Sequence, residues 1–207
     1  VLQFLETNRS SYPLEQIELA GLFHEVREDL RREIDLTAEQ HNLKAAATLY
    51  EYVSGVHIPR LLPFCTETIS AMERIRGIKV TELNLPEKGK QDLARLTFEA
   101  IICAPLFTLD ETAPFHGDPH AGNILAWQEK AGGKAQIALI DWTLAANLSR
   151  PLRQDIMNFM LGVLSDDVDA TAGAVARMQK GSYKDLNKLV SDIYAELHSE
   201  TMDASDP

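Results

Sequence analysis

Phe115-His116-Gly117-Asp118-Pro119-His120-Ala121-Gly122-Asn123, followed further on by Leu139-Ile140-Asp141, is the stretch on which the reading of this chain turns. Asp118 and Asn123 stand five residues apart. Pro119 and Gly122 lie between them and forbid a regular helix, so the segment is a loop. That also removes zinc from consideration: His116 and His120 have the i, i+4 spacing of a helical metal pair but no helix to present it. Asn123–Trp127 and Gln136–Ile140 read as two short strands around the turn Ala131-Gly132-Gly133-Lys134. The hairpin ends on an apolar strand, and Asp141 follows directly.

These residues are oxygen donors in a fixed order. Phosphoryl transfer asks the protein for little covalent chemistry. It asks for a positioned acceptor or water and for Mg²⁺ bridging the phosphates. An Asp that orients the attacking group, an Asn five residues on and a second Asp beyond a hairpin supply those parts. Mg²⁺ takes hard oxygen ligands and keeps several waters, so one carboxylate and one amide oxygen suffice. A lone Asp-x-x-x-x-Asn is most often an Asx turn. The whole ordered set is much rarer than any part of it.

The rest of the chain is acidic and ordinary. Its 207 residues carry 20 Lys and Arg against 31 Asp and Glu, a net charge of −11. With no net cationic surface, binding a phosphate backbone is excluded as the main task, and no nucleic-acid partner is expected. Cys65 and Cys103 form no metal or disulfide pattern. No apolar run reaches membrane-spanning length and no signal peptide heads the chain, so a cytoplasmic location is expected.

Residues 1–13 are punctuated by Ser10, Ser11 and Pro13. Leu14 to about Val53 reads as one long helix, with Leu22, Val26, Leu30 and Ile34 recurring every four residues. Pro59, Pro63 and a turn near Cys65–Glu67 make Val56–Ile75 a β-hairpin. Residues 88–109 return to helix, with Pro105 ending or bending it. Pro151–Ser199 reads as about three helical pieces with weak points at Gly173 and Gly181. In the first piece Leu152, Ile156, Phe159, Met160 and Val163 form the core-facing stripe, while Arg153, Gln154 and Asp155 face outward. The fold class is α+β and predominantly helical.

At this point the chain resembles the UbiB/AarF family of atypical kinases. The loop around Asp118 matches that family's catalytic loop down to its Pro-His and Gly-Asn pairs. Arg32-Glu33-Ile34-Asp35-Leu36-Thr37-Ala38-Glu39-Gln40-His41-Asn42 is similar to its Glu-x-Asp motif and the Glu that follows. Ile69-Ser70-Ala71-Met72-Glu73-Arg74-Ile75-Arg76-Gly77 is similar to the strand and hinge behind the adenine. The resemblance covers about residues 14–165. It implies a protein-kinase-like fold, with residues 1–77 a partial small lobe and 78–207 a helical large lobe. It implies ATP and Mg²⁺ as cofactors. Asp118 would be the catalytic base, with His116 grouped beside it, and Asn123 and Asp141 would hold the metal. Glu39 would pair with a phosphate-binding lysine, and Glu33 would meet a segment bearing Lys-x-Gly-Gln. Met72 would stand at the gatekeeper position, and Glu73, Arg74 and Ile75 would offer backbone groups to the adenine. The implied role is ATP hydrolysis or phosphorylation supporting ubiquinone or related isoprenoid-quinone metabolism. The implied partners are nucleotide, a lipid-like quinone precursor and the surface of the inner membrane.

Three departures bear on that reading. Asp141 is followed by Trp142-Thr143 rather than Phe-Gly, which makes a flip of this segment between states less favourable. Gly117 replaces the arginine that docks a phosphorylated activation loop in ordinary protein kinases. No lysine precedes Lys44, so the phosphate lysine, the nucleotide loop and Lys-x-Gly-Gln are not in this chain. The chain alone is therefore expected to be inactive and to self-associate. Aminoglycoside or choline phosphotransferases, which share His-Gly-Asp and Ile-Asp-Trp, are the runner-up. A non-catalytic pseudokinase that binds partners is the reading from another class.

Overall fold

The computed structural model describes residues 24, 26–28, 30–31, 34–130, 132–178, 188 and 190–191. In chain order its elements are helix α1 (Leu36–Tyr50), strands β1 (Val56–His57) and β2 (Ile78–Lys79), helices α2 (Glu87–Phe98) and α3 (Ala104–Phe107), strands β3 (Thr112–Phe115), β4 (Ile124–Gln128), β5 (Ala135–Leu139) and β6 (Ala146–Ser149), and helices α4 (Arg150–Leu164) and α5 (Val168–Met178). The class is α+β. The chain divides into two compact units, Val1–Ala104 with Pro114–Ala146, and Pro105–Ala113 with Asn147–Pro207.

In the first unit the expected hairpin forms, with β4 and β5 antiparallel and Ile124 opposite Leu139. It sits at the centre of a four-stranded sheet in the order β1-β5-β4-β2. β1 runs parallel to β5, Val56 beside Ile137, and β2 antiparallel to β4, Ile78 beside Ala126. This pairing ties β1 and β2 to the hairpin. Alternation along the hairpin sends Ile124, Ala126, Ile137 and Leu139 inward. They pack with Leu43, Ala46 and Tyr50 of α1 and with Leu93 and Ala100 in one core.

Two expectations need correction or refinement. The long helix does not run unbroken to Val53: Ile34 is in a turn and Asp35 caps a new helix, its carboxylate accepting from the Ala38 N–H at 2.9 Å. A side chain that satisfies an orphan donor makes a helix start where apolar spacing alone sees none. The hairpin over 56–75 is carried by isolated antiparallel bridges, Leu61 with Met72 and Thr66 with Ile69. Its tip lies just beyond the expected Cys65–Glu67 turn. Pro59 and Pro63 remove donors from that arm, which keeps it irregular. The part of the long helix before residue 24 lies outside the described residues.

Pro105 bends its helix in a specific way. α2 passes into a π-helical turn, Glu99–Cys103, before α3. Ala104 donates to Glu99 rather than to Ala100. Pro105, five residues on from Ala100, has no N–H to give. The Ala100 carbonyl is thus orphaned inside the core, and the Tyr50 hydroxyl donates to it at 2.7 Å.

In the second unit Ser149 caps α4, accepting from the Leu152 N–H at 3.4 Å, and Pro151 occupies the first turn. Leu152, Ile156, Phe159, Met160 and Val163 are each half-buried. Arg153, expected to face outward, is instead buried at 2% exposure. Its guanidinium donates to the carbonyls of Pro105, Thr108 and Asp110, at and just beyond the end of α3. A helix C-terminus carries partial negative charge and unpaired carbonyls, so it accommodates a buried cation that periodicity places on the outside. The break after α4 falls at Ser165–Asp167, where Asp167 caps α5 through the Ala170 N–H at 2.9 Å. Gly173 lies inside α5 and not at a break. Gly181 is outside the described residues.

Replacing Tyr50 with phenylalanine leaves the buried Ala100 carbonyl without a donor. The Tyr50→Phe protein is expected to lose about 2 kcal/mol of unfolding free energy, the cost of one orphaned buried acceptor. Urea unfolding followed by circular dichroism measures it. A loss under a few tenths of a kcal/mol would mean the hydroxyl does not hold the π turn.

Candidate active site

His116 organises the loop. Its ring is buried at 2% exposure. Nδ1 accepts from the Asp118 N–H at 3.3 Å, which leaves Nε2–H to donate to the Ile140 carbonyl at 3.0 Å. One neutral imidazole thereby ties the backbone of the Asp118 loop to the residue before Asp141. Both nitrogens are spent on backbone, so His116 braces the site and has no nitrogen left for a substrate. Gly117 is required here by space, since a Cβ would land on the Leu144 carbonyl oxygen.

Asp118 itself is half-exposed. His120 accepts from the Gly122 N–H through Nδ1 at 2.9 Å, and its Nε2 stands 3.8 Å from the Asp118 carboxylate. Asn123 is buried, and its Nδ2 donates to the Asp118 carbonyl at 3.2 Å. Its amide oxygen is the end left over. The Ile140 N–H donates to the Asn123 carbonyl at 3.0 Å, so the start of β4 and the end of β5 stay in register beside the loop.

Asp141 has φ 61°, the left-handed region that costs a non-glycine residue about 1–2 kcal/mol. Its Oδ1 accepts from the N–H and hydroxyl of Thr143. Trp142 is fully buried. Its ring centre lies 4.7 Å from that of His116 and 6.1 Å from that of Tyr50, and its Nε1–H donates to the Leu139 carbonyl at 3.2 Å.

Glu39 of α1 faces this corner, nearly buried, and accepts from the Ser70 hydroxyl at 3.2 Å. Burial pushes its carboxyl above the usual range, the Ser70 hydrogen bond opposes that, and the nearby Asp141 charge adds to it. Gln40 beside it donates to the carbonyls of Thr66 and Ile69 at 2.9 and 3.2 Å. Met72 is bridged to Leu61, and the Glu73 N–H is committed to the Arg60 carbonyl at 2.8 Å. The Glu73 carboxylate faces His57 at 3.2 Å. With Arg74, Ile75, Arg76 and Trp127, these two residues line a polar cavity of about 390 Å³. Glu33 lies outside the described residues.

The structure thus brings Glu39, His116, Asp118, Asn123 and Asp141 together, and sets Met72–Ile75 on a separate hairpin arm. Motif reading missed Ser70 and Asn42 as partners of this corner. The signal for Asn42 is its place one turn beyond Glu39. Ser70 carries none.

A family model described as the ABC1 atypical kinase-like domain matches residues 2–175. The chain belongs to that family. Among curated ABC1 relatives it is 28% identical over 154 residues to AarF domain-containing kinase 1 of Drosophila melanogaster, a match covering 70% of this chain and 28% of that protein. It is 29% identical over 155 residues to Protein ACTIVITY OF BC1 COMPLEX KINASE 1, chloroplastic, of Arabidopsis thaliana, covering 74% and 22%. An uncharacterized protein in the hydrogenase 1 5′ region of Clostridium pasteurianum is 29% identical over 164 residues, covering 78% and 30%. The chain spans about a fifth to a third of the length of these relatives. Among the described residues, no helix of this ABC1 chain is long and apolar enough to cross a membrane.

The corner of the ABC1 domain suits Mg²⁺. Among the described residues no three His, Cys, Asp or Glu side chains converge into a metal cluster. Mg²⁺ does not need one, since it binds through one or two carboxylates plus phosphate oxygens and water. Asn123 offers an amide oxygen. Asp141 offers the carboxylate oxygen that Thr143 does not hold. Burial raises the Glu39 carboxyl and the Asp141 charge adds to that, a pairing of two acidic groups that a divalent ion would relieve.

His116 makes the fold acid-sensitive. Burial holds its imidazole below the ordinary 6.5, and the Ile140 carbonyl and the Asp141 and Asp118 charges oppose that without overcoming it. Below about pH 6.5 the unfolded chain therefore takes up the proton first, and stability falls as pH drops through that window. The melting temperature of His116→Gln is expected to fall less than that of the parent between about pH 7.5 and pH 5.5. Equal falls would show that His116 does not titrate on unfolding.

Proposed function

We propose that this chain is the metal- and nucleotide-handling part of an ABC1-type kinase or ATPase of kinase-like, two-lobed architecture. It acts with Mg-ATP in phosphoryl transfer or ATP hydrolysis. Asp118 orients the attacking hydroxyl or water. Asn123 and Asp141 hold Mg²⁺, which when bound neutralises charge on the phosphates. Glu39 orients the lysine that meets those phosphates. Arg74 and Ile75, whose N–H groups have no backbone partner among the described residues, present the hinge to the adenine. The reaction supports ubiquinone or related isoprenoid-quinone metabolism, with a lipid-like quinone precursor and the surface of the inner membrane as partners.

One observation carries this reading. A single buried imidazole joins the backbone of Asp118 to that of Ile140, so an orienting aspartate and a metal aspartate from distant sequence positions form one rigid part. Phosphoryl transfer is accelerated chiefly by charged groups held in place before the reaction begins, and a rigid pair of aspartates meets that need.

The test separates binding from turnover in the full-length protein. Asp141→Asn is expected to abolish Mg-ADP binding in calorimetric titration, since the amide removes the charge that offsets the metal. Asp118→Asn is expected to lower kcat for ATP hydrolysis by roughly 10²-fold or more, with nucleotide affinity within a few-fold. Unchanged Mg-ADP affinity in Asp141→Asn would overturn the reading.

A further inference from the structure

Asn42 lies three residues beyond Glu39 on α1, so both side chains fall on one face of the helix. Its Nδ2 donates to the Trp142 carbonyl at 2.9 Å, across 100 residues of sequence. On the other side of Asp141, the Ile140 carbonyl is held by His116. The strained residue, at φ 61°, is thus pinned by one side-chain hydrogen bond before it and one after it. A non-glycine residue stays in the left-handed region only where its surroundings over-determine it. His116 is reached from the same loop, but Asn42 is the one pin that comes from α1.

We propose that Asn42 is a positioning residue for the metal aspartate: by holding the Trp142 carbonyl it keeps Asp141 in its left-handed conformation. It also makes that conformation depend on the seating of the helix that carries Glu39. The proposal rests on the reading of Asp141 as a Mg²⁺ ligand. The amide is suited to this as few side chains are. An aspartate of the same shape cannot donate to a carbonyl, and alanine reaches nothing. The carbonyl it serves is half-enclosed beside a fully buried indole, so its loss is felt locally and not relieved by water.

The experiment uses full-length protein carrying Asn42→Asp or Asn42→Ala, with Asp141→Asn as the control. The Mg²⁺ concentration at half-saturation of ADP binding is expected to rise about tenfold in both Asn42 variants, the order set by one lost hydrogen bond to a partly buried carbonyl. A merely structural residue would lower the melting temperature and leave the Mg²⁺ requirement of the folded protein alone. Hydrogen exchange at the amides of residues 141–144 is the second, metal-free readout, expected to quicken in both variants while the hairpin of β4 and β5 keeps its protection. Unchanged exchange there would overturn the proposal. So would an unchanged Mg²⁺ requirement in a background where Asp141→Asn alters it. Should Asp141→Asn itself leave Mg²⁺ use unaltered, the metal assignment falls, and the exchange measurement alone decides whether Asn42 positions this segment.

Discussion

A neutral imidazole that accepts from one backbone group and donates to another from a distant segment ties the two segments together. In this chain His116 meets that condition, between the Asp118 N–H and the Ile140 carbonyl. The ring must be dry to keep the geometry, and Trp142, packed against it at a tilt of 52°, helps keep it so. It must also stay uncharged, because a proton on Nδ1 would abolish the acceptor that Asp118 needs. The remaining features of the corner follow from this one. Asp118 cannot move without the strand that ends at Ile140, and that strand cannot move without the hairpin at the centre of the first unit's sheet.

Charge sets the second constraint. The chain as a whole is strongly acidic, and its site concentrates Glu39 and Asp141 near one another without a cation among the described residues. Burial makes this costly, and the raised carboxyl of Glu39 is the record of that cost. Sites are often built this way, with local stability given up so that a ligand's charge completes the arrangement. Of the first unit's acidic groups, Glu73 shows the opposite pattern: burial, the largest single effect, pushes its carboxyl up, but the Arg60 N–H and His57 together hold it below its ordinary value. An acid satisfied by its own neighbours does not need a ligand, which distinguishes Glu73 from Glu39 although both stand in motif positions.

What could be read from sequence divides along physical lines. The Asp118–Asn123 loop, the β4–β5 hairpin and Asp141 were legible because each is written locally, in turn residues and an apolar run. The helix start at Asp35 was written locally too, as an aspartate three residues before Ala38. It lost to the stronger four-residue apolar rhythm of Leu22, Val26, Leu30 and Ile34. The burial of Arg153 was not legible, because its partners are backbone carbonyls 43 to 48 residues earlier and carbonyls have no sequence signature. The same holds for Asn42, whose partner is the Trp142 carbonyl, while Ser70 meets the Glu39 side chain only through the folding of distant segments. The role of His116 was visible only as a histidine in a motif. That its nitrogens serve backbone is a fact of three-dimensional position.

Trp142 is one of the places where the sequence departs from ordinary kinases, and the structure gives that departure a consequence. A glycine after the metal aspartate and its aromatic neighbour would let the segment rotate cheaply. Here the aromatic residue is an indole of zero exposure, held through its ring nitrogen, through its carbonyl and by the rings of Tyr50 and His116. Rotating Asp141 away from Asp118 would draw that indole out of the core. Burial of a tryptophan is worth several kcal/mol by itself, and three hydrogen bonds around it would be broken or remade. The left-handed strain at Asp141, about 1–2 kcal/mol, is too small to drive such a change. The contacts of Trp142 therefore weigh against a flip of Asp141 away from Asp118.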